Sequence, residues 1–230
     1  MNYEELRSNE QFLTFENAKK AFDKYKIEFS DEKYLNLGLI FPKDKIYTNL
    51  ALLISDQCKH SIKVAVFGDI EKTKFKDTRE FEGSIFNQLE ETFNYLEFCN
   101  NTSATFNGLE RIEKKDYPVE AIRESLLNAI IHRDYSYSGS IIINLTEKEI
   151  EFISIGGLLP NLTSDDIRSG ISQPRNKKLA EIFHRLHLVE AYGTGIRKIF
   201  ELYKNNRSQP NIQLTPNTFK IILPNMNYSD

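Results

Sequence analysis

Glu124, Asn128 and His132 stand four residues apart in the stretch YPVEAIRESLLNAIIHRDY, residues 117–135. At about 100° per residue, that spacing puts the three side chains in one row along a helix. A carboxylate one turn from a carboxamide can hold a water molecule and a hard cation side by side, which hydrolysis of a phosphoanhydride needs. An ordinary solvated helix face carries the same i,i+4 spacing, so the row alone leaves both readings open. The helix itself is well marked. Pro118 fits its first position, Asp116 or Tyr117 can cap it, and Val119, Ile122, Leu126, Ala129 and Ile130 recur on the other side.

Three further segments could meet an anion. Gly193-Thr194-Gly195 precedes an apolar helix containing Ile196, Ile199, Phe200 and Tyr203, so its backbone N–H groups open a helix N-terminus; an interhelical turn has the same composition. Gly156 and Gly157 end a strand and let backbone come close to a ligand, or simply form a turn. The loop 170–178 supplies Arg175, Lys177 and Lys178, with Asn176 able to cap the next helix. It is equally describable as a solvated basic loop.

Other chemistries lack their parts. There is no GxxxxGK[ST] loop and no GxGxxG after a strand, which removes P-loop helicase and Rossmann readings. His132-Arg133-Asp134 is not a kinase catalytic loop, because no glycine-rich loop with a strand lysine precedes it and no Asp-Phe-Gly follows. No serine sits in a GxSxG elbow. Cys58 with His60, and His184 with His187, have no further ligands at zinc spacing.

The elements that must position these residues read as a mixed α+β chain. Helices are expected at 14–25 (Thr14 capping), 81–99, 163–169, 177–186 and 196–203, with a short helix or turn near 32–37. Strands are expected at 50–54 and 62–67 as one hairpin, at 140–145 and 149–155 as a second, and at 212–214 and 219–223. The polar run 100–107 suits a turn or a boundary. This divides the chain into an N-terminal α+β subdomain, residues 1–110, and a second domain, residues 111–230.

Thirty basic against 33 acidic residues give a net charge of -3, which argues against a broad nucleic-acid-binding surface. Two cysteines make no disulfide framework, and no apolar run approaches the roughly 20 residues of a membrane span, so a cytoplasmic protein that does not enter a membrane is expected.

Taken in order, YPxxAxRExxxNAxxHRDY, GGLxP, GxSxPRN and YGTGI resemble the RecG-like or Schlafen-related predicted transcriptional regulators of bacteria. The central module of that family is similar to a divergent Bergerat (GHKL) ATP-binding domain. The motifs span residues 117–196. The segments YTNLALLISD at 47–56 and FEGSI at 81–85 extend the likeness over nearly the whole chain.

The resemblance implies a two-layer α/β sandwich of Bergerat type, with ATP and magnesium as cofactors. Glu124 then corresponds to the water-activating glutamate and Asn128 to the magnesium ligand, with His132 next along the row as a nucleotide contact. Gly156 and Gly157 correspond to the glycine box beside the adenine, and Gly193, Thr194 and Gly195 to the one under the phosphates. Arg175 and Asn176 fall in the lid loop. Two departures stand out. No aspartate precedes Gly156, where Ser154 and Ile155 stand, and Ile131 replaces the acid usual three places after the asparagine. A base site without that acceptor binds more weakly and more broadly.

The implied function is the nucleotide-binding module of a transcriptional regulator, with slow magnesium-dependent ATP hydrolysis or an ATP-driven switch as its output. Family members carry an AlbA-like domain before this region and a winged helix after it, so DNA contact is expected through flanking domains, with a homodimer as the assembly. A nucleotide-free scaffold or dimerisation module is the alternative. Direct DNA binding through Arg168, Arg175, Lys177, Lys178, Arg185 and Arg197 is a third.

Overall fold

A computed structural model of the chain describes residues 2–159, 163, 166, 173–190 and 194–228. Their helices are α1 (Glu16–Lys24), α2 (Asn49–Ile54), α3 (Ile85–Cys99), α4 (Val119–His132), α5 (Lys177–Arg185) and α6 (Gly195–Leu202). The strands are β1 (Ile62–Phe67), β2 (Phe75–Phe81), β3 (Thr102–Asn107), β4 (Glu110–Lys115), β5 (Ile141–Leu145), β6 (Glu149–Ile155), β7 (Asn211–Leu214) and β8 (Thr218–Pro224). The architecture is mixed α+β. Six strands form one open sheet in the order β2-β1-β5-β6-β8-β7, and β3 pairs with β4 in a separate hairpin.

Among the described strands only β1 and β5 pair in parallel. Parallel neighbours need a long crossover, and here it contains α3, the β3–β4 hairpin and α4. Both helices pack onto the sheet: α3 against β1 and β2, α4 against β6 and β8. Alternation along the strands sets the faces. Ile141, Ile143 and Leu145 of β5 and Phe219, Ile221 and Leu223 of β8 are buried towards the helices. On the other face, Glu151 is held by Lys72 at 2.6 Å, Lys220 at 3.1 Å and Asn144 at 3.0 Å.

Several sequence expectations need correction. Residues 50–54 are not a strand: Leu50, Ala51, Leu52, Leu53 and Ile54 lie in α2, buried on every side, with Thr48 accepting from the Ala51 N–H at 3.3 Å. A short apolar run fits a buried helix as well as a strand, and the cap at Thr48 decides between them. The antiparallel partner of β1 is therefore β2, a polar edge strand whose alternation is too weak to read. Residues 100–107 hold strand β3 rather than a turn, and Gly108, at φ +62°, makes the hairpin to β4. Thr14 does not cap α1. Asp56 does so instead, accepting from the N–H groups of Glu16 and Asn17 at 2.9 and 3.2 Å.

The hairpin at 140–155, the strands at 212–214 and 219–223 and the helices at 81–99, 177–186 and 196–203 are found within a few residues of expectation. The helix expected at 163–169 lies mostly outside the described residues, as does Arg168. The boundary expected at residues 110 and 111 falls at the start of β4. Strands from both sides of it share the six-stranded sheet and one core running from Phe15 to Leu223. No helix among the described residues is long and apolar enough to cross a membrane.

Candidate functional site

Helix α4 is not a solvated helix with one wet face. Ala121, Ile122, Ser125, Leu126, Leu127, Ala129, Ile130 and Ile131 are all buried, so nearly its whole circumference is covered. Turning the helix would expose side chains worth roughly 1.5–3 kcal/mol each. The row Glu124–Asn128–His132 is thereby fixed, and it lines a pocket of about 570 Å³. Gly156, Gly157, Arg175, Thr194 and Gly195 line the same pocket, together with Lys177, Arg185, Glu190, Lys198 and Phe219. Gly193 lies outside the described residues.

At one end Glu124 meets the start of α6. Its Oε1 takes Arg123 Nη1 at 2.6 Å, while Arg123 Nη2 donates to the Leu188 carbonyl. Its Oε2 faces Gly195, where an added Cβ would come within 2.6 Å of it and 3.5 Å of Asn128 Nδ2. Burial raises the proton affinity of Glu124; Arg123 and Lys198 pull it down and Glu190 adds to the rise. Asn128 donates Nδ2 to the Glu124 carbonyl at 2.7 Å, leaving its oxygen without a hydrogen bond among the described residues. Thr194 turns its hydroxyl to Glu190 rather than capping α6. The N-terminus of a helix is a general place for an anion, and here Gly195 puts it beside Glu124 in the pocket.

The other end holds a flat wall with Arg175 and Lys177 near it. His132 stacks on Phe219 with ring centroids 6.5 Å apart. Burial, helped by the Arg175 charge, pushes the imidazole down to about 4 and keeps it neutral at physiological pH. Gly156 adopts φ +113°, and a Cβ there would sit 3.0 Å from Asp134 Cβ. At Gly157 a side chain would strike the carbonyl oxygens of Pro216 and Thr215, the latter at 2.7 Å. The glycines are required by close backbone contact.

Arg175 and Asn176 serve this architecture. Arg175 bridges Asp134 at 3.3 Å and the Gly157 carbonyl at 2.9 Å, clamping the glycine turn. Asn176 is buried and does not line the pocket. Its side chain makes no cap bond to α5; Nδ2 donates to the Ile131 and Arg133 carbonyls, both at 2.8 Å, satisfying the end of α4. The first N–H groups of α5 are capped from afar by the buried Glu4, whose oxygens accept from Lys178 and Leu179 at 2.9 and 3.0 Å. Arg133 is buried too, donating to the Tyr137 and Gly139 carbonyls and packing over Tyr135.

Lys198, Glu190 and Phe219 are among the pocket residues that sequence reasoning missed. Lys198 was within reach, one turn beyond Gly195 on the helix the glycine opens. Phe219 carries no signal, because only the β6–β8 pairing brings it under α4.

The comparisons with known proteins agree with part of this picture. Residues 139–223 match an ATP-binding family described as "Putative ATP-dependent DNA helicase recG C-terminal". The matched region holds Gly156, Gly157 and Arg175 but begins after α4. No curated protein matches the chain. Among solved structures, the DIP2311 protein from Corynebacterium diphtheriae is similar in fold, with a TM-score of 0.82 at 20% identity over 98% of this chain. This chain spans 48% of that one.

Two outcomes follow. Gly157→Ala meets backbone and should lose about 1–3 kcal/mol of stability, whereas Gly195→Ala meets side-chain ends of Glu124 and Asn128 and should lose less; urea unfolding of both variants checks the order. His132 and His60 both have pKa values lowered to about 4 from 6.5. Between those values the unfolded chain binds protons the folded chain does not, so stability falls as pH drops from 7 to 5, by about 1–2 kcal/mol per imidazole. His132→Asn should show the shallower loss over the same pH interval; equal slopes would contradict the burial of its imidazole.

Proposed function

We propose that the pocket binds a nucleoside triphosphate, ATP first, as a divergent Bergerat domain. One observation carries this reading: a single cavity joins the Glu124–Asn128 pair and the N-terminus of α6 to the flat, neutral wall of His132 and Phe219. A ligand with a polyanionic end and a planar uncharged end fits those two ends. The family match over residues 139–223 supports it.

No group of three or more His, Cys, Asp or Glu side chains among the described residues is placed to hold a metal. Magnesium needs no such cage, since it keeps several waters and takes one or two protein oxygens plus phosphates. Asn128 Oδ1, turned out by the bond its amide makes to Glu124, suits that role. The cation, when bound, would neutralise phosphate charge. Glu124 would take a proton from water through Oε2 as the water oxygen bonds to the terminal phosphorus and the bond to the bridging oxygen breaks, giving nucleoside diphosphate and phosphate. Its raised proton affinity suits a general base. Ser154 and Ile131, in place of two acids, fit slow turnover and a broad choice of base.

In its wider setting the domain would be the ATP-responsive part of a bacterial transcriptional regulator in the cytoplasm, working as a homodimer and reaching DNA through domains outside this chain. A second reading, a nucleotide-free scaffold, draws on the internal bonds already made: Arg123 on Glu124, and Asn128 on the Glu124 carbonyl. These engage one oxygen of Glu124 and the nitrogen of Asn128, leaving an oxygen on each.

Thermal denaturation with and without magnesium and ATP separates the two readings. A ligand at 100 times its dissociation constant stabilises by about 2.7 kcal/mol, a shift of several degrees. The nucleotide reading expects that shift for the wild type and its loss in Asn128→Ala. No shift with any nucleotide supports the scaffold, and an unchanged shift in Asn128→Ala removes Asn128 from the site.

A further inference from the structure

Four cationic side chains of lysine or arginine line the pocket, and they are not equivalent. Arg175 is spent on Asp134 and the Gly157 carbonyl. Lys177, Arg185 and Lys198 make no ion pair among the described residues. Lys177 opens α5 at the end of α4 where Asn176 is sewn to Ile131 and Arg133, beside the flat wall. Arg185 closes α5, about 12 Å further along at 1.5 Å per residue. Lys198 stands on α6 one turn after Gly195, the residue pressed against Glu124 Oε2. Besides Arg123, it is the cation whose charge reaches Glu124. Arg123 is already held between Glu124 and the Leu188 carbonyl, so Lys198 is the lysine at this end that makes no ion pair among the described residues.

We propose that Lys198 is the terminal-phosphate contact of the pocket and the residue that distinguishes nucleoside triphosphate from diphosphate. The proposal rests on the nucleotide reading above. A terminal phosphate seated at the start of α6 reaches the ammonium of Lys198, which lines the pocket there and makes no ion pair among the described residues. A diphosphate ends short of that ammonium, so substrate length is read by one side chain.

The test compares a non-hydrolysable ATP analogue with ADP, each with magnesium, by titration calorimetry on the wild type, Lys198→Ala and Lys198→Arg. Lys198 is exposed on α6, so neither substitution disturbs the core. The wild type should prefer the triphosphate, and Lys198→Ala should lower that preference by about tenfold or more, the scale of one charge-assisted hydrogen bond. ADP affinity should stay the same. Lys198→Arg should restore the preference, which a merely structural role would not require. An unchanged triphosphate-to-diphosphate ratio in Lys198→Ala overturns the assignment while leaving the nucleotide reading intact. A wild type that binds neither ligand overturns the nucleotide reading, and this assignment falls with it.

Discussion

The burial of α4 on nearly all sides is the constraint on which the rest of this structure depends. A surface helix tolerates rotation, because one wet face can be exchanged for another at small cost. Here the sheet, α3, α5 and α6 surround it, and Ile122, Leu126 and Ile130 are fully enclosed. The only polar row with room to open is Glu124–Asn128–His132, and its direction is fixed by hydrophobic packing elsewhere. Pocket chemistry therefore inherits its geometry from the core.

Long-range polar clasps complete what packing begins. Glu4 caps α5 across 174 residues of sequence, Asn176 closes the end of α4, and Arg175 locks the glycine turn to Asp134. Each answers a helix end or turn that would otherwise leave backbone groups unpaired in the interior. Side chains that look like ligand contacts in a linear reading are thus spent on the scaffold. At the start of α6, Thr194 bonds Glu190 and its side chain does not cap the helix.

Helical spacing made the row on α4 legible, and Gly156–Gly157 at the end of a strand marked a turn without room for side chains. That Gly157 would meet the carbonyls of Thr215 and Pro216 was not legible, since those residues lie almost 60 positions away. The scaffold bonds of Arg175 and Asn176 were not legible for a related reason: sequence shows a donor but not which carbonyl stands opposite it. Residues 50–54 show the other failure. Five consecutive apolar residues carry no period, and only the cap at Thr48 marks the helix. Strand β2 and the β3–β4 hairpin were hidden by polar composition, because edge strands and projecting hairpins have little core to face.

Backbone hydrogen exchange with and without a saturating non-hydrolysable ATP analogue and magnesium tests most directly whether this pocket is the nucleotide site. The account predicts slowed exchange at the start of α6, along α5 and at the Gly156–Gly157 turn, with the β3–β4 hairpin unchanged. Slowing confined to the hairpin or the outer sheet face, or no change anywhere in the chain, would contradict it.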